Sequence, residues 1–196
     1  MKREAIIDAA KRAFLEHGVQ GTSMDMLAHM AQVSKRTVYN HFENKEALIM
    51  HLISEMWRQA TLPIGLSYDT HRPLSEQLCA VIEAEIAMIG ATESIELNRV
   101  AFGHFFYQPD LLQREVQKFS AHETAVKHWI RAALADKRLK DLDIEVASAQ
   151  IHSLIKGSCF WPQLMQITPL LDAEQRHDLA ERTAAIFLSH YAVTPI

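Results

Sequence analysis

The stretch Ser-Lys-Arg-Thr-Val-Tyr-Asn-His-Phe-Glu-Asn-Lys, residues 34–45, gathers side chains able to bond phosphates or the edges of nucleic-acid bases. Ser34, Lys35, Arg36, Thr37, Tyr39, Asn40, His41 and Lys45 are interrupted by Val38 and Phe42, which fall on one edge of a helix. A helix held by a single apolar edge is free to lay its polar remainder in a major groove. There Arg36 could pair bidentately with guanine O6 and N7, a contact typically worth about 1–3 kcal/mol of base discrimination. Lys35, Thr37 and Asn40 would project beside it, and Tyr39 and His41 would flank the groove and reach phosphates. The same pattern also fits a solvated amphipathic helix of an ordinary bundle, because polar faces are common on surface helices.

The flanking sequence supplies the elements that would position this helix. Ile6, Ala9, Ala10, Ala13 and Phe14 recur at helical spacing, and Gly18 suits the left-handed end of that first helix. Thr22 is expected to cap a short second helix, with Asp25 in the reciprocal capping-box position and Leu27, Ala28 and Ala31 on one face. After the turn at Gln32-Val33, Ser34 is the natural N-cap of a third helix running through Phe42. Asn44 then caps a fourth, in which Leu48, Leu52, Ile53 and Met56 or Trp57 recur. Thr22 and Lys45 stand at helix starts, where unpaired backbone N–H groups favour an anion, so they would position a phosphate without reading sequence.

Two short helices joined by a tight turn, the second polar except along one edge, form the pattern of a helix-turn-helix. Pro63, Gly65 and Pro73 mark residues 61–73 as a linker. Beyond it the spacing predicts helices at about 74–90, 95–107, 109–135, 143–161 and 173–191. Pro109 fits a first helical turn, Trp161-Pro162 a helix stop, and Asp172 with Gln175 a capping box. With six glycines and no run of strict alternation, the chain reads as all-α. A three-helix domain at 1–45 is followed by a connecting helix from 45 to about 60, the linker, and a larger helical domain at 74–196. No internal repeat or low-complexity segment is visible.

Composition narrows the function. At 196 residues and 48% hydrophobic content the chain can bury a sizeable core. No stretch approaches the roughly 18–20 apolar residues of a membrane span, and the first residues interleave charge with apolar groups, so a cytoplasmic protein without membrane contact is expected. Residues 1–60 hold eight Lys/Arg against seven Asp/Glu, while the whole chain carries −4, so any nucleic acid would be met by the N-terminal third. Cys79 and Cys159 lack a CxxC partner, and His17, His29, His41 and His51 lack metal-ligand spacing. Buried thiols, no metal and no cofactor are expected. No nucleophile and base at usable spacing and no phosphate-binding glycine loop supports an enzyme.

The ordered motifs resemble those of the TetR-type transcriptional regulators. They run through Ile7, Ala10 and Phe14, then G-V-Q-G-T-S at 18–23, M-D-M-L-A at 24–28, A-Q-V-S at 31–34, T-V-Y-N-H-F at 37–42 and N-K-E-A-L at 44–48. The resemblance covers about a quarter of the chain and implies a homodimer whose N-terminal domain binds a palindromic DNA operator. Two departures stand out. Where the family usually has glycine, in the turn between the two helices, this chain has Gln32, and positive φ at a non-glycine residue costs about a kilocalorie. Arg36 also stands where the family often has glycine, so it is a possible contact that many relatives lack.

The resemblance also implies roles for residues 74–196. Ile144, Ile151, Leu154 and Ile155 on one late helix, and Leu179, Thr183, Ile186, Phe187 and Tyr191 on another, are either core or the two-fold interface of the dimer that the family forms. Trp57, Asn98, Phe102, Phe105, Phe106, Tyr107, Trp129, Phe160 and Trp161 are either core or the lining of an unknown small-molecule effector's pocket, which the family holds among its central helices. The run from Glu96 to Val116 is weakly similar to a TetR-type subset associated with efflux genes. The expected function is a repressor released from its operator by an apolar or amphipathic effector, with helix four as lever. The alternative is a DNA-binding dimer without effector, controlled by a protein partner.

Overall fold

A computed structural model of the chain describes residues 2–61 (backbone alone at 57–61), 68–106, 110, 113 and 124–193. Ten helices are bounded within the described residues: α1 Lys2–Gly21, α2 Met24–Met30, α3 Lys35–His41, α4 Lys45–Thr61, α5 Leu74–Ile89, α6 Thr92–Phe105, α7 Ala125–Ala135, α8 Ile144–Cys159, α9 Trp161–Leu164 and α10 Ala173–Tyr191. Outside them the described residues form no strand, only an isolated bridge between Leu139 and Ala192. The helices divide into two compact units, Met1–Gln59 with Glu96–His122, and Ala60–Ile95 with Glu123–Ile196.

The first unit is built on the alanine-rich edge of α1. Ile6, Ala9, Ala10, Ala13 and Phe14 are fully buried, and the small side chains let neighbouring helices approach. Leu27 of α2, Val38 of α3, Leu48 and Ile49 of α4, and Leu97 and Phe105 of α6 join the same core. At roughly 1.5–3 kcal/mol per fully buried large apolar side chain, this cluster dominates the stability of so short a set of helices. Gly18 takes φ +69°, which only glycine adopts cheaply, and the chain continues as a helical turn to Gly21 instead of ending there.

The second unit packs α5 closely against α10, with α7 and α8 completing the core. Leu78, Ile82 and Ile86, Trp129 and Ile130, Ile151 and Ile155, and Phe187 and Leu188 form one apolar cluster. Cys159 belongs to it, and burial pushes its thiol up to about 11. Glu85, also buried, is met by His152 Nε2 at 2.9 Å and by the Val126 N–H at 3.4 Å. A carboxylate taken out of water needs such partners.

Several boundaries differ from expectation for local reasons. The helix expected over 109–135 does not continue through Thr124, whose extended backbone and side-chain bond to the Lys127 N–H start α7 afresh. The helix expected over 143–161 breaks at Phe160 (φ −129°, ψ −64°), and Pro162 then lies in the first turn of the four-residue α9. At α10 the expected capping box between Asp172 and Gln175 is formed. Pro109 and residues 62–67 of the expected linker lie outside the described residues. Residues 68–73 are tied into the second unit: Tyr68 donates to Asp136 at 2.8 Å, and Arg138 donates to the carbonyls of Thr70 and Arg72.

Candidate nucleic-acid interface

Ser23, not Thr22, caps α2 by accepting from the Met26 N–H at 3.1 Å. Thr22 is buried and donates to the carbonyls of Gly18 (2.8 Å) and Ala13 (3.2 Å), so its hydroxyl locks the end of α1 and is not available to a phosphate. The expected reciprocal box with Asp25 is accordingly not made. Asp25 instead faces Lys35 of α3, 2.8 Å away.

The turn takes a left-handed residue without using glycine. Gln32 has φ +54°, its N–H bonds to the His29 carbonyl at 3.1 Å, and the Val33 N–H bonds to the Ala28 carbonyl at 3.0 Å. This pair of crossed bonds is the Schellman closure of a helix end, which demands positive φ at that residue. The crossed bonds persist although the residue pays the left-handed penalty. Lys137 and Gln166 close α7 and α9 in the same way, at φ +58° and +57°.

Ser34 caps α3 as expected, accepting from the Thr37 N–H at 3.2 Å and sharing a 2.8 Å bond with the Thr37 hydroxyl. Thr37 is therefore engaged by the cap. Val38 is fully buried and Phe42 nearly so, which fixes the helix by one edge. Lys35, Arg36, Tyr39, Asn40 and His41 are exposed around the rest. Among them Arg36, Asn40 and His41 have no side-chain partner within the described residues. Lys35 does have one, and the hydrogen bond and charge of Asp25 raise its pKa.

Lys45 stands at the start of α4 beside the end of α1. Its Nζ lies 3.3 Å from the Thr22 carbonyl and 3.5 Å from that of Gln20, so it satisfies the end of α1. Asn44 caps α4 through the Ala47 N–H at 2.7 Å, as expected. Sequence reasoning did not place Arg3. Its guanidinium lies over the Phe42 ring at 5.4 Å and donates to His51 Nε2 at 3.2 Å, holding a cation at the end of α3. Burial, and then the charge of Arg3, lowers the pKa of His51 and keeps it an acceptor. Nothing in local spacing could have shown a contact across 48 residues.

The residues expected to line a pocket fall in both units. The Trp57 side chain and Tyr107 lie outside the described residues. Phe105 is buried in the first core, Asn98 is buried with its amide 3.8 Å from Met56 Sδ, and Phe102 is half-buried. Trp129 is core of the second unit. Phe160 is buried, edge-to-face with Trp161. Phe106 is 70% exposed because it falls past the end of α6, and Trp161 is 42% exposed because it opens α9 beyond the break at Phe160.

The late apolar stripes divide between the two readings left open for them. Ile155 and Thr183 are buried within the unit, and Ile144 and Leu179 pack half-buried against its core, so for these four the core reading holds in the single chain. Leu154 and Ile186 are exposed, with Val146 beside them. Together with Ile151, Phe187 and Tyr191 they line an open groove of about 800 Å³ between α8 and α10. Tyr191 donates to Gln150 across it at 2.8 Å.

Residues 6–52 match the family of bacterial regulatory proteins of the tetR type, and residues 76–193 match the AefR-like transcriptional repressor C-terminal domain. The uncharacterized HTH-type transcriptional regulator YhgD of Bacillus subtilis is 33% identical over 98% of this chain and 95% of its own. A crystal structure of a TetR family transcriptional regulator from Pseudomonas syringae pv. tomato is 33% identical and superposes with a TM-score of 0.80, covering 98% of this chain and 97% of that one. The flavonoid-responsive regulator FrrA is 25% identical with a TM-score of 0.74, covering 98% and 97%. No helix of the described residues is long and apolar enough to cross a membrane. The helix-turn-helix geometry, the all-helical second unit and these matches agree: the chain belongs to the TetR family of DNA-binding transcriptional regulators, with an AefR-like repressor C-terminal domain.

Proposed function

We propose that the chain acts as a homodimeric repressor on a two-fold symmetric operator and is released from it by a small apolar or amphipathic effector. The observation that carries the dimer is the groove of α8 and α10. A monomer gains nothing by exposing Leu154, Ile186 and Val146 side by side, and a second copy applied about a two-fold axis would cover both grooves at once. Two copies of α3 about one axis call for half-sites one helical turn apart, roughly 34–36 Å. In this arrangement Arg36, Asn40 and His41 read or flank the bases, Tyr39 and Arg3 meet phosphates, and Ser34 and Thr37 hold the start of the helix.

The effector reading rests on the AefR-like domain match and on the flavonoid response stated for FrrA. The ligand must prefer a dimer whose two α3 helices no longer match consecutive major grooves. A tenfold preference moves that balance by about 1.4 kcal/mol, so a complete switch needs several times as much.

Selection of bound sites from random duplex DNA tests the operator. The expected product is a palindrome carrying two chains, and recovery of single, asymmetric half-sites bound by one chain would overturn the dimer. Titration of a flavonoid and a panel of other amphipathic aromatics into the recovered complex tests release. A panel that leaves affinity unchanged would remove the effector and keep the operator.

A further inference from the structure

The tightest packed pair of helices in the second unit, α5 and α10, presents metal-ligating side chains along one edge. Cys79 and Glu83 stand one turn apart on α5, His177 and Glu181 one turn apart on α10. Donor atoms of Cys79, Glu83 and His177 all lie within 4.8 Å of one another, and His177 Nδ1 is 3.0 Å from Glu83 Oε2. Glu181 acts electrostatically on both Cys79 and His177. Cys79 and Glu83 are half-buried and His177 is exposed, so the group is open to an ion from solvent.

We propose that Cys79, Glu83, His177 and Glu181 form a site for a borderline-soft divalent cation, Zn²⁺ foremost, that clamps α5 to α10. The donor set selects the metal. A thiolate and an imidazole favour zinc over magnesium or calcium, which take oxygen donors. Paired i, i+4 ligands on two adjacent helices converge on one point, because each pair lies on a single helix face. In tetrahedral zinc sites with bonds of about 2.0–2.3 Å the donors stand roughly 3.3–3.8 Å apart, so small side-chain rotations bring Cys79, Glu83 and His177 to that spacing, and Glu181, one turn from His177, is the proposed fourth ligand.

The charge balance is also favourable. Without metal, burial and then the charges of Glu83 and Glu181 raise the pKa of the Cys79 thiol and favour its protonated form. On binding, the thiol loses its proton to solvent, sulfur donates its electron pair to the cation, and the neutral imidazole donates through Nδ1. One thiolate and two carboxylates then surround a double positive charge that removes their repulsion. The site is independent of the DNA-reading face and needs no effector pocket.

The probe is Co²⁺, added to the full chain under reducing, chelator-free conditions. The expected result is a near-ultraviolet thiolate-to-cobalt charge-transfer band with tetrahedral visible bands, displaced by Zn²⁺. Cys79→Ser should abolish that band, while Cys159→Ser leaves it intact. His177→Ala should weaken Co²⁺ binding by more than the 10–100-fold lost on removing even an outer-shell partner. Far-ultraviolet circular dichroism of Cys79→Ser checks that the fold survives, as substitution of a half-buried thiol by hydroxyl should allow. No charge-transfer band at saturating Co²⁺, or a band that persists in Cys79→Ser, would overturn the proposal. His177 and Glu83 would then be an ordinary solvated ion pair.

Discussion

Both α3 and the α8/α10 face are fixed by a buried edge and leave the opposite side bare, but they leave it bare in opposite ways. Around α3 the exposed groups are Lys35, Arg36, Asn40 and His41; along the groove they are Val146, Leu154 and Ile186. A polar face stays hydrated until a partner supplies charge and hydrogen bonds. An apolar face is stabilised by any complementary surface that excludes water, most simply its own copy. What a helix leaves exposed therefore indicates its kind of partner, polyanion in one case and protein in the other.

Ile186→Glu should break the apolar half of this comparison and have the largest effect. A like-charge pair across a two-fold axis costs several kilocalories per mole, which corresponds to at least a hundredfold loss of dimer and operator affinity. Sedimentation velocity should show a folded monomer, whereas an unchanged dimer would place the interface elsewhere. Arg36→Ala attacks the polar half. It should cost about 1–3 kcal/mol and relax preference at one operator position. Uniform loss across all sequences would make Arg36 a phosphate contact.

The contrast also separates what the sequence disclosed from what it withheld. The helix-turn-helix was legible because its signals are local: Val38 and Phe42 four residues apart, Ser34 and Asn44 as caps, and a turn of four residues between Met30 and Lys35. Thr22 misled because two adjacent hydroxyl residues can each cap, and tertiary contact with Ala13 and Gly18 decided for Ser23. The contact of Lys45 with the Thr22 carbonyl was not legible, because it spans 23 residues. In the second unit the stripes of α8 and α10 were visible, but spacing alone does not tell a face against the core from one against a copy. Ile155 and Leu154 are neighbours in sequence, yet the first is fully buried and the second exposed. The pairing of Cys79 and Glu83 with His177 was invisible because 94 residues separate the helices it joins.

Gln32→Gly would sharpen the first region's account by a smaller amount. Relieving the left-handed backbone should stabilise the chain by about 1 kcal/mol, less what glycine adds to the freedom of the unfolded chain. Thermal denaturation would read this as a modest rise in Tm, and a fall would mean that the Gln32 side chain contributes in a way not visible here. The smallest effect belongs to His177. Glu83 raises its folded pKa above the ordinary 6.5, so its contribution is complete below that value and fades as pH rises through the raised one. In chelator, the stability difference between wild type and His177→Ala should shrink from pH 6 towards pH 8. A difference that grows instead would reverse the assigned sign.

The ion pair of Lys35 with Asp25 bears on how such a regulator finds its site. A lysine already neutralised from within adds little to the attraction of arbitrary DNA, where each phosphate contact contributes about one unit of salt slope. Only a phosphate placed well enough to outcompete Asp25 takes the lysine over. Removing the carboxylate, as in Asp25→Asn, should lengthen residence on unrelated sequence more than on the operator. That outcome would make the pair a brake on residence at unrelated DNA.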